Sequence, residues 1–493
     1  MQTLLRQFDF GNEAGDDVDP KELTTYFVEQ NMFDGFLDPT KRILVATAKK
    51  GVGKSALITW LAYRIGKKYP SSLIIKCRGA DLARNRFSLR GDPKAPNEYI
   101  QDWMVRICTL INREIALVTK IALTDDKITV IEAAELEGFK QRNLVSCLID
   151  RFTRLLGDAS PSKIGSENEV QLLKRLKATN VWFLVDDLDA TFQNTKEEQV
   201  ALSTFFTACR YIAADMSGVS FRVTMRTDVW PVIKRQDESL DKVDQYVRDI
   251  VWHECDFKQL LANRIRAYLE AKGIPLPVHD SNFDTNLVNE IFTPQMPWSG
   301  TRVDVCTVLY TLSYTRPRWA IQLCKLAQKH ALRCGNSVIT KRDVDSVWGE
   351  YGTKRISDLV SEHKHQCPQV EELITAFRQA PSQMTRADLI DWVKLHINVS
   401  LTPMIEGKKI TSPVEVAHFL YRIGFILARS QEKSGCYEHY SFDQMPDFLS
   451  SRSNNDFNVL WEIHPCYREA LDIEKLNERE RAKRGLLKRP RRL

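Results

Sequence analysis

The sequence predicts an α/β fold in which five parallel strands alternate with helices and a mostly helical region follows. Two observations support this prediction. Short apolar runs suited to buried strands alternate with segments of helical periodicity from residue 42 to residue 252. From residue 276 the apolar spacing becomes helical, and strand-like runs return only after residue 435. A chain of 493 residues is too long for one compact core, and we expect about two to four domains.

A phosphate-binding loop is predicted between the first strand and the next helix. The segment A-K-K-G-V-G-K-S-A matches the pattern G-x-x-x-x-G-K-[ST] except at its first position, where alanine replaces glycine. In this pattern backbone N–H groups surround the phosphates, the lysine reaches the β- and γ-phosphates, and the hydroxyl binds Mg²⁺. We expect the small alanine to be tolerated, because the site depends more on the second glycine. The predicted nucleotide-binding residues are Ala48, Lys49, Lys50, Gly51, Val52, Gly53, Lys54, Ser55 and Ala56.

The apolar strand that begins at residue 181, after a second strand at 72–77, ends in the acidic residues Asp186 and Asp187. The carboxyl end of a parallel strand is where open α/β sheets bind their ligands. We therefore predict that Ser55 and Asp186 hold Mg²⁺, the latter through water, and that Asp187 orients or deprotonates the attacking water. Asp189 is a candidate to share the role of base. The alternative is an ordinary transition from strand to turn.

Arginines are candidates for sensing the γ-phosphate. Arg226 follows the strand at residues 219–225, and Arg318 lies at the start of a helix beyond the core. Arg226 could instead be a surface side chain, and Arg318 part of a structural ion pair.

The domain boundaries follow changes in composition and periodicity. A helix opened by Ser412 and Pro413 is predicted to reach Ile426, and the strand-like runs at 436–442 and 457–463 are interpreted as a hairpin. This combination suggests a winged-helix-like domain that binds nucleic acid or protein. The last 15 residues carry eight basic side chains and one acidic one, which fits an arm attracted to nucleic acid or a solubilising terminus. The predicted domains are a helical lead-in (1–40), a core (41–275) with a helical insertion (96–178), a helical lid (276–360), a winged-helix-like domain (361–475) and a basic tail (476–493).

Composition narrows the class of protein. The 43% hydrophobic and 27% charged content is that of an ordinary globular protein. No apolar run approaches the roughly 20 residues needed to span a bilayer, and the N-terminus lacks a basic-then-apolar signal, so we expect a cytoplasmic protein without membrane function. The eleven cysteines form no C-x-x-C pair, which argues against a zinc ribbon. Residues 354–371 are interpreted as a polar linker, and the segment 363–367 within it, H-K-H-Q-C, as solvated.

Together these motifs resemble the AAA+/STAND superfamily of P-loop ATPases, and most closely the bacterial KAP-like and stand-alone P-loop ATPases of phage-defence type. The resemblance rests on the phosphate loop, the D-D-x-D strand end, the arginine after the next strand, the P-R-x-A element at Pro317–Ala320 and the segment Asp237–Asp244, and it covers about residues 15–470. It implies binding and hydrolysis of ATP with Mg²⁺, and sensor roles for Arg226 and Arg318. It also implies an arginine supplied by a neighbouring subunit, which would be Arg248 or Arg235; the sequence does not distinguish them. Two departures are Ala48 and the lack of the membrane spans that KAP proteins usually carry.

Three functions are compatible with this pattern. The first is an ATP-driven switch that forms homo-oligomers and regulates a separate effector protein in bacterial anti-phage defence, because the chain shows no nuclease, protease or deaminase motif of its own. The second is an ATPase that engages nucleic acid as a loader or remodeller through the winged helix and basic tail. The third is a scaffold that binds ATP with negligible turnover.

Overall fold

The computed structural model describes residues 4–15, 17–83, 95–119, 180–192, 194–215, 218–236, 240–298, 301–431, 437–450 and 459–473. The chain forms two compact units. The core unit is Gly11–Ile274, and the C-terminal unit combines Met1–Phe10 with Pro275–Leu493. The predicted lead-in is therefore divided between the units, and the predicted lid and winged-helix-like domain fall within one of them. The basic tail and most of the predicted helical insertion lie outside the described residues.

The described helices and strands are numbered separately in chain order. The helices are α1 (Leu4–Gln7), α2 (Pro20–Tyr26), α3 (Lys54–Lys68), α4 (Gly79–Ala83), α5 (Pro96–Thr119), α6 (Lys196–Asp215), α7 (Trp230–Lys234), α8 (Asp241–Asp244), α9 (Glu254–Ala271), α10 (Phe283–Asn289), α11 (Val305–Leu312), α12 (Pro317–Arg333), α13 (Lys341–His363), α14 (Val370–Thr375), α15 (Arg386–His396), α16 (Pro413–Arg422) and α17 (Pro465–Arg468). A 3₁₀ helix spans Asn31–Leu37.

The strands are β1 (Ile43–Thr47), β2 (Leu73–Arg78), β3 (Val181–Asp186), β4 (Val219–Met225), β5 (Val247–Asp249), β6 (Gln295–Trp298), β7 (Thr301–Asp304), β8 (Gln383–Met384), β9 (Met404–Ile405), β10 (Lys408–Lys409), β11 (Ile426–Gln431), β12 (Tyr437–Tyr440) and β13 (Leu460–Ile463).

The core unit is built on a five-stranded parallel sheet, which confirms the predicted fold class. Its strand order is β2-β3-β4-β1-β5, and all neighbouring pairs are parallel. Successive side chains of a strand point to opposite faces. Accordingly, Ile43 and Val45 pack in the apolar layer that contains α5 and α6, while Leu44 and Ala46 pack in the layer that contains α3. Because both faces are covered, the strands read as near-continuous apolar runs.

The fifth strand was predicted three residues too late. It was expected at residues 250–252, whereas β5 is Val247–Asp249 and pairs with β1 at the edge of the sheet. Ile250 is buried and Trp252 packs in the same apolar layer, but both lie beyond the strand. The apolar run at 250–252 therefore corresponds to residues that pack in one layer with Val52 of the phosphate loop. The edge strand itself carries the exposed Arg248.

A buried arginine fastens the segment before β1 to the sheet. Arg222 in β4 is fully buried, and its guanidinium donates hydrogen bonds to the carbonyl oxygens of Phe36 (2.7 Å), Lys41 (2.8 Å) and Asp38 (2.7 Å). It also lies 4.7 Å from the centre of the Trp182 ring. Burial lowers the pKa of Arg222 to about 9, so the side chain still carries its charge at neutral pH. Backbone carbonyl oxygens thus stabilise this buried charge through hydrogen bonds.

Helix boundaries in the N-terminal segment and the C-terminal unit differ in part from prediction. The sequence favours a helix at 22–30 in the lead-in, and the corresponding helix α2 begins two residues earlier because Asp19 caps it, and ends where Phe27 becomes extended. Thr340 caps α13 in a capping box, and Ser412 caps α16, as predicted. Pro317 is at the first position of α12, also as predicted.

The polar linker predicted at residues 354–371 is wrong in its first half. Helix α13 continues to His363, and the side chain of Glu362 forms a buried 2.7 Å ion pair with Arg316. His363 and Cys367 are buried as well, so the segment 363–367 is not a solvated linker. The charged residues were interpreted as exposed, whereas several of them are buried with partners.

The C-terminal unit contains a small antiparallel sheet with the order β12-β11-β13-β8. The hairpin predicted between the last two runs is incorrect, because β12 and β13 each pair with β11 and not with each other. The preceding helix was expected to reach Ile426, the first residue of β11, and the strand itself was not predicted. Helix α16 instead ends at Arg422, and Gly424, with φ +78°, turns the chain into β11.

The first ten residues fold with the C-terminal unit. Gln328 in α12 donates hydrogen bonds to the carbonyl oxygens of Leu5 (2.9 Å) and Phe8 (2.6 Å). The rings of Phe10 and Phe292 lie 6.0 Å apart, and Leu5 and Phe10 are almost completely buried. Leu5, Phe8 and Phe10 are therefore part of the interior of this unit. None of the described helices combines the length and the apolar character required to cross a membrane.

Candidate nucleotide-binding site

The phosphate loop joins β1 to α3, as its pattern predicts. Gly51 and Gly53 have φ values of +80° and +117°, which are accessible to glycine and strained for other residues. Ala48 keeps a negative φ, is 2% exposed, and donates its backbone N–H to the carbonyl oxygen of Met225 at 3.1 Å. A methyl group at the first position is thus accommodated in the apolar layer.

The loop is braced from the side of β5. The indole Nε1 of Trp252 donates a 2.8 Å hydrogen bond to the carbonyl oxygen of Val52. At the end of β1, the hydroxyl of Thr47 donates to the carboxylate of Asp249. Sequence reasoning missed both contacts, because they depend on which strand lies beside β1.

Lys54 and Asp187 meet at the carboxyl end of the sheet. Lys54 is 7% exposed, and its Nζ lies 3.3 Å from the carbonyl oxygen of Ala48 and 3.4 Å from Oδ1 of Asp187. Asp187 is 45% exposed. The structure therefore brings together the lysine and the acid that were predicted to share one site, with the acid open to solvent.

Asp186 lies beside Ser55 and is held by β4. Thr224 Oγ1 donates a 2.8 Å hydrogen bond to Oδ1 of Asp186. Burial and the negative charge of Asp187 raise the pKa of Asp186, against the opposing effects of hydrogen bonds from Ser55 and Thr224 and the charge of Lys54. A hydroxyl and a carboxylate are the oxygen ligands that Mg²⁺ prefers, and a cation would offset the cost of ionising this buried acid. The residues present fit the metal that the motif implies.

Thr224 also shapes the turn that carries Asp187. The backbone N–H of Asp187 donates to Thr224 Oγ1 at 2.9 Å, and Asp187 has a φ of +45°, in the left-handed region. Such a conformation is strained for a residue other than glycine and persists when surrounding contacts support it. One hydroxyl thus positions both acids. Sequence reasoning missed Thr224, because it lies inside an apolar strand and its role follows from β4 being the neighbour of β3.

We expect Thr224→Val to impair Mg²⁺-dependent turnover by roughly tenfold, the value of one hydrogen bond of about 1.4 kcal/mol. The hydroxyl lowers the pKa of Asp186, so its removal raises that pKa further. Asp186 then becomes protonated at a higher pH. The acidic limb of the pH–rate profile should therefore move to higher pH. Thr224→Ser, which keeps the hydroxyl, should retain the wild-type profile. An unshifted limb in Thr224→Val would contradict the assignment.

Asp189 and Arg226 form an ion pair. Asp189 is 1% exposed at its side chain, and its Oδ2 lies 2.7 Å from Nε of Arg226. The backbone N–H of Arg226 also lies 3.2 Å from Asp189 Oδ1. This buried pair leaves Asp189 unsuited to act as the base, contrary to expectation. Arg226 directly follows β4 and lies beside the acidic loop, residues 187–189. Its sensor role stays a prediction.

Gly79, directly after β2, allows the backbone of Asp187 and Leu188 to lie close to its own. A Cβ at this position would lie 2.3 Å from Cα of Leu188 and 2.4 Å from the carbonyl oxygen of Asp187. Any larger residue would push the acidic loop away from the sheet edge. Sequence reasoning missed this residue, although a glycine directly after a strand is a signal for close backbone approach.

The other predicted arginines are exposed. Arg318 lies in the first turn of α12 in the C-terminal unit. Arg248 is on β5, where its guanidinium donates to the carbonyl oxygens of Gln245 and Val247, and Arg235 follows α7. Their roles in sensing phosphate or in reaching a neighbouring subunit stay predictions.

Comparisons with known proteins give one family match and several structural likenesses. Residues 256–360 match the family described as the FunZ-associated C-terminal helical domain. No curated protein matches the chain. The family match covers α10 to α12 and most of α9 and α13, and does not include the phosphate loop or the acidic strand.

Three solved structures are similar over most of their length. A Walker-type ATPase of Pyrococcus abyssi has a TM-score of 0.42 and 12% identity, with 93% of this chain and 100% of that chain covered. The ORC2 protein of Aeropyrum pernix, solved as ADPNP–ADP complexes, has a TM-score of 0.39 and 11% identity, covering 91% and 90%. Cdc6p of Pyrobaculum aerophilum has a TM-score of 0.33 and 13% identity, covering 92% and 96%. The strand order β2-β3-β4-β1-β5 and the position of the phosphate loop between β1 and α3 give the core unit a P-loop NTPase-like α/β fold.

Proposed function

We propose that this protein binds ATP with Mg²⁺ in the core unit and hydrolyses it. The observation that supports this most directly is the meeting of Lys54, Ser55, Asp186 and Asp187 at one edge of a parallel sheet. In a simple turn rich in glycine and lysine there would be no reason for a buried lysine to face two acids. The arrangement matches the parts that phosphoryl transfer requires, namely a phosphate cradle, a metal site and a group that orients water.

Each residue has a distinct part in this proposal. The N–H groups of the loop and of the first turn of α3 surround the phosphates, aided by the positive end of the helix dipole. Lys54 leaves Asp187 to contact the β- and γ-phosphates. Ser55 and Asp186 would hold Mg²⁺, which neutralises charge on the phosphates when bound. Asp187, open to solvent and fixed by Thr224, orients or deprotonates the attacking water.

We further infer that the protein is a cytoplasmic switch that self-associates when ATP is bound and regulates a separate effector protein in bacterial anti-phage defence. This finer proposal rests on the motif resemblance given above. The exposed arginines of the core unit, Arg235 and Arg248, are available to reach a neighbouring copy. Arg226 and Arg318 are the proposed sensors of the γ-phosphate.

The test of ATP binding is Lys54→Ala. We expect this variant to lose nucleotide affinity and turnover by 100-fold or more, on the order of 3 kcal/mol, because a buried charge that contacts the phosphates is removed. Binding is measured by calorimetry with a non-hydrolysable ATP analogue, and turnover by phosphate release. Lys67→Ala, an exposed lysine in the last turn of the same helix, is the control and should behave as wild type.

Wild-type binding and hydrolysis in Lys54→Ala would overturn the proposal. ATP binding by the wild-type protein without measurable turnover would favour the scaffold. The nucleic-acid alternative is supported by the basic residues at 479–493. Turnover that is stimulated by DNA, weakened by salt and lost on deletion of those residues would favour this loader or remodeller over an effector-coupled switch.

A further inference from the structure

Three side chains of types that can bind metals lie together in the C-terminal unit, and none of them has a role in the proposed nucleotide site. His330 lies in the last turn of α12, Cys334 follows at its C-cap, and Asp343 is in the first turn of α13. One donor atom from each of the three lies within 4.8 Å of the others. Thiolate, imidazole and carboxylate are the ligands that Zn²⁺ takes in proteins. We propose that these three residues form a zinc site.

The spacing of the thiol and the imidazole fits a zinc chelate. Residues four apart on a helix lie on the same face, and Cys334 Sγ is 3.8 Å from Nδ1 and from Nε2 of His330. Zn–N and Zn–S bonds of about 2.0 Å and 2.3 Å in a tetrahedral site place the two ligand atoms about 3.5 Å apart. Rotation of the exposed Cys334 side chain is enough to supply the remaining few tenths of an ångström.

The carboxylate is held in place before any metal binds. Asp343 is fully buried at its side chain, and it accepts hydrogen bonds from the backbone N–H and hydroxyl of Thr340 and from Asn336 Nδ2. Its Oδ1 lies 2.8 Å from His330 Nδ1. Zn²⁺ would take the place of the proton between these two atoms, while the bonds from Thr340 and Asn336 keep the carboxylate in place. The donor set is therefore pre-organised on two helices.

Helix capping explains only part of this arrangement. A capping box accounts for the bonds between Thr340 and Asp343. It does not account for an exposed thiol placed beside the imidazole that the same carboxylate contacts. Three protein donors leave a fourth position for water, as in an open zinc site. Binding would displace the thiol proton and tie the end of α12 to the start of α13.

The experiment uses Co²⁺ as the probe on the full-length, reduced, metal-free protein. We expect one equivalent to bind per chain, with a thiolate-to-cobalt charge-transfer band in the near ultraviolet that Zn²⁺ abolishes by displacement. Cys334→Ser should lose the band, and His330→Gln should weaken metal affinity by at least tenfold. Cys255→Ser, which removes the other exposed cysteine of the described residues, should retain the band.

The absence of the band in wild type would overturn the proposal, as would a band that persists in Cys334→Ser or disappears in Cys255→Ser. The melting temperature provides a second readout, because Zn²⁺ should raise it in wild type and not in Cys334→Ser. The Lys54→Ala variant should retain the band. Failure of the zinc site and failure of the proposed ATPase are therefore separate results.

Discussion

The Asp187→Asn variant is expected to bind ATP as wild type does and to hydrolyse it roughly 100-fold more slowly or worse, the range typical of losing a general base. Binding should survive for two reasons. Loss of the 3.4 Å ion pair frees Lys54 for phosphate. Loss of the negative charge also removes one of the effects that raise the pKa of Asp186. Asp186 therefore ionises more readily and can still bind Mg²⁺. The measurement is single-turnover hydrolysis beside calorimetric binding of a non-hydrolysable analogue.

The matched control for this result is Asp228→Asn. Asp228 lies in the loop after β4 and 3.8 Å from Arg226, so the substitution removes an equal charge from the neighbouring loop. We expect its turnover to stay within a few-fold of wild type. If Asp187→Asn hydrolyses ATP at the wild-type rate, another group activates the water and the role given to Asp187 is wrong.

Arg222→Met is expected to have the largest effect on stability, a loss of about 3–5 kcal/mol in the free energy of unfolding of the core unit. The three carbonyl oxygens before β1 would lose their charged donor inside the protein, and each such loss costs about 1–3 kcal/mol. Release of a buried charge offsets part of this cost. Urea unfolding followed by tryptophan fluorescence measures the change, since Trp182 lies against this side chain.

Arg42→Met is the control for that experiment. Arg42 is exposed and donates a 2.9 Å hydrogen bond to the carbonyl oxygen of Ala213. Its replacement should cost about 1 kcal/mol or less. Equal effects of the two substitutions would show that the burial of Arg222 contributes no special stability.

The sequence predicted those parts of the core that are encoded locally. A buried run, a glycine-lysine loop and a helical period are adjacent in the chain, so β1, the loop and α3 could be located from residues 42–65 alone. The acids after β3 could be placed at the same edge because parallel strands share an orientation. Thr224 and Trp252 could not be found in this way, since their contacts depend on the order of strands in the sheet.

Errors in the C-terminal unit have a different origin. Charged residues of α13 were interpreted as exposed, whereas Glu362 is buried against Arg316, and a single sequence does not reveal such a pairing. The assignment of Ile426 to the preceding helix was avoidable. Gly424 is a strong signal for the end of a helix, and it separates α16 from β11.

The location of the first ten residues affects how the two units can be studied. The chain leaves the C-terminal unit after Phe10, completes the core unit, and returns after Ile274, so two covalent connections join the units where a single linker would be assumed. Removing residues 1–10 to trim the start of the core would withdraw Leu5 and Phe10 from the interior of the other unit. A self-contained C-terminal fragment therefore needs this N-terminal segment supplied, either fused to it or added as a peptide.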